Sequence, residues 1–191
     1  MRTGRMAIIA LCVVLLSGCD LGIAVSLHPI AAEEQPQFES ALLGRWQVEN
    51  GDDILQFEKS ATGEYRMLVF KQSSLEEDPD AAPQERYTVQ ALRLGRFVFL
   101  DLTDPSTSGD LLKIPVHIFL RVELNGDEFE LAALDDRWLK SQLEQKRLEI
   151  AHQLVDGQVI LTAPPAELRE FLQRNAWDDA AFPPDTRYRR M

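Results

Sequence analysis

The chain has 191 residues, with 20 lysines and arginines against 31 aspartates and glutamates, a formal net charge of −11. This balance excludes the basic footprint that nucleic-acid binding requires, and it disfavours electrostatic attraction to an anionic lipid face. Cys12 and Cys19 are the only cysteines, so the body of the chain has no disulfide framework, cysteine-ligated zinc or thiol redox motif.

Arg2 and Arg5 precede an apolar run from Met6 to Leu16. A bilayer core needs about 20 apolar residues. The run is too short to span and has the form of a secretory signal. Leu16-Ser17-Gly18-Cys19 follows: an aliphatic residue, two small ones, then a cysteine. This stretch resembles the lipobox of bacterial lipoproteins. The resemblance implies that residues 1–18 are removed by cleavage between Gly18 and Cys19. It also implies a diacylglyceryl thioether on the Cys19 sulfur, acylation of its amine, and lasting attachment to a membrane of the cell envelope. One acyl chain binds only marginally, at about 0.8 kcal/mol per buried methylene, so several chains are needed for permanence. Asp20 resembles the inner-membrane retention signal of enterobacterial lipoproteins, which implies the inner membrane facing the periplasm, with the outer membrane as the alternative. Cys12 would leave with the signal.

Residues 19–37 read as a lipidated tether, and residues 38–191 as one β-rich domain. Pro29, Pro36 and the Ala31-Ala32-Glu33-Glu34-Gln35 stretch argue against regular structure in the tether. Its apolar piece, Leu21 to Leu27, suits either the domain or the membrane surface.

From residue 45 the dominant period is two. A turn at Gly51-Asp52 predicts Val48 opposite Leu55 and Trp46 opposite Phe57. A third strand, Glu64 to Phe70, places Tyr65, Met67 and Val69 on one face. Residues 72–84 carry Glu76, Glu77, Asp78, Pro79 and Pro83, and read as an acidic loop without regular structure. Tyr87 to Arg93 and Arg96 to Leu102 pair around Leu94-Gly95, with Tyr87 opposite Leu102, Val89 opposite Leu100 and Ala91 opposite Val98. Phe97 and Phe99 make the second strand apolar on both faces, so another element must cover it. Ile114 to Leu124 and Asp127 to Leu134 pair around Asn125-Gly126, a dipeptide suited to a type I′ turn. That register sets Val122 against Phe129, Leu120 against Leu131, Ile118 against Ala133, and Arg121 against Glu130 as an ion pair.

The period then becomes helical. Asp135 or Asp136 can cap a helix running to about Arg147, with Trp138, Leu139 and Leu143 on one face. Leu148 to Leu154 and Gln158 to Leu161 read as short strands around Asp156-Gly157. Pro164-Pro165 opens a second helix, with an apolar stripe of Leu168, Phe171 and Leu172. The tail from Phe182 reads as frayed, with Arg187, Arg189 and Arg190 near acidic groups or headgroups. The sum is an α+β chain, mainly antiparallel β. It has eight or nine strands in a closed or half-open barrel, with two helices packed on it.

Gly44-Arg45-Trp46, at the start of the first barrel strand, resembles the Gly-x-Trp of lipocalins and related calycins. The resemblance implies that Trp46 closes the barrel floor, often under an arginine, and that the barrel carries a small apolar ligand. A helix over 136–147 departs from the simple lipocalin order.

The histidines are His28, His117 and His152, and no two share metal-ligand spacing. No cofactor motif, phosphate-cradling glycine loop or Gly-x-Ser-x-Gly elbow occurs. His117, expected across from Leu134, could form an acid–base pair with Asp101 or Asp104 if the strands adjoin. Asp104-Pro105 reads first as a turn. Three functions follow. The first is a membrane-anchored, non-catalytic binding or scaffold domain whose partner is an envelope protein or small apolar ligand. The second is a lipocalin-like carrier. The third is a hydrolase using His117 with Asp101 or Asp104.

Overall fold

The structure is a computed structural model that describes residues 22–31, 39–61, 63–107, 114–184 and 186–191. After a two-residue strand β1 (Val25–Ser26), a 3-10 turn (Ser40–Leu42) leads into β2 (Gly44–Val48), β3 (Asp53–Lys59) and β4 (Tyr65–Lys71). A short helix α1 (Gln72–Glu77) precedes β5 (Glu85–Leu94), β6 (Phe97–Thr103), β7 (His117–Asn125) and β8 (Glu128–Ala133). Then come α2 (Asp136–Glu144), β9 (His152–Val155), β10 (Gln158–Leu161), α3 (Pro165–Asn175) and β11 (Thr186–Arg190).

Eight of these strands form a closed antiparallel barrel in the order β2-β3-β4-β5-β6-β7-β8-β11, with β11 pairing back onto β2. Seven follow one another as a meander; the eighth returns after an excursion containing both longer helices and two strands. Period-two alternation fills the interior. Trp46, Leu55, Phe57, Met67, Val89, Leu100, Val122, Phe129 and Tyr188 converge in one buried cluster. Phe129 packs edge-on to Trp46 at 4.7 Å and stacks on Tyr188 at 4.9 Å between centroids.

The other face of β5, β6 and β7 is apolar too, as Phe97 and Phe99 required. It forms a second core outside the barrel wall, where Leu92, Phe97, Phe99 and Phe119 join Leu139 of α2 with Leu168, Phe171 and Leu172 of α3. Of the two candidate caps, Asp135 caps α2 by accepting the Trp138 N–H at 2.6 Å.

Three expectations are corrected. Residues 22–31 are not a free tether. β1 inserts between β7 and β10, and Ala24, Ile30 and Ala31 are buried, which places the apolar piece against the domain. The acidic loop begins with α1, because the Asp52 carboxylate accepts the Ser73 N–H (3.0 Å) and hydroxyl (2.7 Å) from across the chain. Those bonds hold the Asp52 carboxyl below the usual carboxylate range. The arginine-rich tail is the closing strand β11. Tyr188 faces the barrel interior, while Arg187 and Arg189 meet Glu130 and Glu128 at 3.5 and 2.9 Å.

All three hairpins keep the predicted faces but differ in register by two residues. Trp46 pairs with Leu55, Ala91 with Leu100, Val122 with Leu131, and Glu123 rather than Arg121 with Glu130. In the β7–β8 hairpin, Gly126 has φ +63° and Asp127 does not share the left-handed region. Glycine therefore occupies the first central position, as in a type II′ turn, and the turn moves one residue along the chain.

Candidate functional site

Besides the ion pairs of Arg187 and Arg189 on β11, two places concentrate polar groups on the barrel among the described residues. The first is the end where its first and last strands meet. The Trp46 ring is fully buried, and its Nε1–H donates to the Leu42 carbonyl of the preceding 3-10 turn at 2.7 Å. The Arg190 guanidinium lies over that ring, 4.0 Å from the centroid. It also donates to the carbonyls of Leu43 (2.9 Å) and Ala41 (2.5 Å). An arginine of β11 thus fastens the strap that covers the barrel end, and Trp46 plugs that end beneath it.

The second place is on the outer wall. In the β6–β7 register Thr103 pairs with His117 and Asp101 with Phe119, so Asp101 and His117 are diagonal neighbours on one face. The structure brings them together, with His117 Nδ1 2.6 Å from Asp101 Oδ1. A carboxylate only accepts, so the Nδ1–H of His117 is the donor in this contact. The other oxygen, Oδ2, accepts the Ile30 N–H at 2.9 Å. Arg169 of α3 donates to the Ile30 carbonyl at 2.9 Å. Asp101 is 3% exposed; its Oδ2 pins the N-terminal segment to the wall while its Oδ1 holds the His117 ring.

His117, with a half-buried ring, borders a cleft of about 710 Å³ lined also by Arg66, Arg86, Tyr87, Thr103 and Asp104. Burial there pushes the Tyr87 phenol up to about 12, helped by its hydrogen bond to Glu85 and the nearby charge of Asp104. Asp104 lines the same cleft but works as the expected turn residue. Its two oxygens accept the Ser106 N–H (2.7 Å) and hydroxyl (2.9 Å).

Leu134, expected across from His117, lies opposite Phe119 instead and donates its N–H to the Phe119 carbonyl at 3.2 Å, while His117 faces Ser26 of β1. The Ser26 hydroxyl is buried and spent locally, donating to the His28 carbonyl at 2.9 Å and accepting the His28 N–H at 3.1 Å. Serine, histidine and aspartate therefore sit close without a nucleophile aimed at a cleft. His152 is exposed and bonds the Ile150 carbonyl. Among the described residues no group of three histidine, cysteine, aspartate or glutamate side chains is placed to hold a metal ion. Sequence reasoning missed Ser26 and Ile30, because the short apolar piece Leu21 to Leu27 with its glycine and serine shows no period, and Arg169, because its partner Ile30 is remote in the chain. Gly18, Cys19 and Asp20 lie outside the described residues.

Fold and site together define a closed up-and-down β-barrel, plugged at one end and jacketed on one side by helices. No family model, curated protein or solved structure matches the chain.

Proposed function

We propose that the chain is a bacterial lipoprotein, lipidated on Cys19 after cleavage behind Gly18, whose barrel is a non-catalytic binding or scaffold body at the cell envelope. The observation that carries this reading is the filled barrel axis. Trp46, Phe57, Leu100 and Phe129 are each at most 1% exposed, and carriers of apolar ligands need a hollow lined by such groups. The neighbourhood of His117 supports the same reading: the nearest serine hydroxyl, Ser26, is buried and bonded to the His28 backbone, so the Asp101–His117 pair has no nucleophile beside it to activate.

Kinship with lipocalins is supported by the meander order, by Gly44-Arg45-Trp46 at the start of the first barrel strand, and by Arg190 over Trp46. Placement of α2 and α3 between the seventh and eighth barrel strands departs from that family's order. The hydrolase reading is the second one, favoured by the cleft beside His117.

The test is native mass spectrometry of the domain exported without Cys19, alongside labelled-palmitate incorporation into the intact precursor. The proposal expects a bare protein mass and palmitate that disappears in Cys19→Ala. A small apolar molecule bound at unit stoichiometry overturns the scaffold reading in favour of a carrier. Unchanged palmitate labelling in Cys19→Ala overturns the lipoprotein assignment.

A further inference from the structure

We infer that the tip of the β9–β10 hairpin, carrying Leu154 and Val155, is a second contact of this protein with the lipid bilayer, beside the acyl chains on Cys19. The inference rests on the lipoprotein reading and adds an orientation to it.

The argument starts where the chain leaves the fold. Asp136 donates its N–H to the Gly22 carbonyl at 2.9 Å, Ile23 forms an antiparallel bridge with Asp135, and the Ala24 N–H reaches the Leu134 carbonyl at 2.8 Å. Gly22 is therefore fixed to the barrel wall. Three peptide links separate it from Cys19, and they reach at most about 11 Å when extended. The lipidated residue has no longer leash, so whatever surface surrounds Gly22 faces the membrane.

That surface is the hairpin tip. β10 runs parallel to β1, and Gln158 donates through Nε2 to the Ile23 carbonyl at 3.1 Å. Val155 is the strand partner of Gln158. Two strand spacings put Val155 about 10 Å from Ile23. Leu154 is 58% and Val155 45% exposed, the one adjacent pair of large exposed apolar residues among the described residues. The exposed Trp177 differs, because the Arg96 guanidinium lies 3.6 Å from its ring centroid. All of β9 is exposed, and it pairs with β10 alone.

The charge pattern agrees. In a chain with 31 acidic residues, the hairpin from His152 to Leu161 has a single carboxylate, Asp156. The Lys140 ammonium sits 3.3 Å from the Gly157 carbonyl at its tip. The contact is apolar in character and needs no anionic lipid.

The experiment uses the full lipidated chain, made in bacterial cells and reconstituted into phosphatidylethanolamine–phosphatidylglycerol vesicles. An environment-sensitive fluorophore is placed on Leu154→Cys and, as reference, on Ala61→Cys, in the β3–β4 turn, whose strand β4 is separated from β1 by β5, β6 and β7. A quencher attached to lipid should dim the first several-fold more than the second, and adding Val155→Asp to the first should shrink the difference. Palmitate incorporation is measured on the same preparations. Palmitate present with equal quenching at both positions overturns the orientation and leaves the lipoprotein reading intact; absent palmitate overturns both. A disulfide between two copies of Leu154→Cys, in place of lipid quenching, assigns the edge to a second copy and overturns the inference.

Discussion

Replacing Asp101 by alanine removes the acceptor for two donors at once. One is the Ile30 amide, which is fully buried and has no route to water. The other is the Nδ1–H of His117, whose half-buried ring can recruit water from the cleft. An unsatisfied buried donor costs about 1–3 kcal/mol. Ile30 falls in the upper part of that range and His117 at its foot, a loss of about 3 kcal/mol in all. For a domain of this size each kcal/mol lowers Tm by roughly 2–4 °C, so Asp101→Ala should melt about 6–12 °C below the parent. Asp101→Asn should lose less, because its amide oxygen can still accept one of the two bonds. Hydrogen exchange adds a local reading: amides in residues 24–31 should lose protection first, since this segment is held by one short strand and a few bonds. An Asp101→Ala protein with the parental Tm and unchanged exchange at Ile30 refutes the clamp. A variant that keeps its stability but loses a hydrolytic activity makes Asp101 the orienting partner of a catalytic His117 instead.

At the barrel end, Arg190→Ala should cost about 2 kcal/mol, combining a cation–π contact with two carbonyl bonds. Arg190→Lys should recover little of it in chemical denaturation, because an ammonium cannot stack and fork together. Tyr87 makes stability fall with alkali. The folded phenol holds its proton to about 12 while the unfolded one releases it near the ordinary value of 10.0. Unfolding thus sheds a proton in that window, and stability is lost as pH rises through it. Denaturation midpoints should slope downward there, less steeply in Tyr87→Phe; identical slopes refute the assignment.

How far the sequence reveals this fold depends on parity and on range. A strand register that slips by two leaves every side chain on its face. Trp46, Phe57, Val89, Leu100, Val122 and Phe129 were therefore legible as core even though each hairpin pairs differently. The turn decides the pairing, and Gly126 in the first central position carries no mark distinguishing it from a glycine in the second. The helix stripes at Leu139 and at Leu168, Phe171 and Leu172 were legible because long amphipathic periods are unambiguous. β1, α1 and β11 were not, since each is short and owes its order to distant partners: Ile118 and Ile160, Asp52, and Phe129 with Val48. The Asp101–His117 pairing was visible only as a conditional, because a sequence does not say which strands adjoin.

The closing strand has a consequence for how such a barrel comes into being. β8 ends at Ala133 and its neighbour β11 begins at Thr186. Until that late segment arrives, β2 and β8 present open hydrogen-bonding margins on an otherwise finished curved wall. Non-local pairing of this kind is slow, and bare margins invite pairing with other chains. The barrel closes only when this last strand docks, with Tyr188 stacked on Phe129 and Arg190 laid over Trp46.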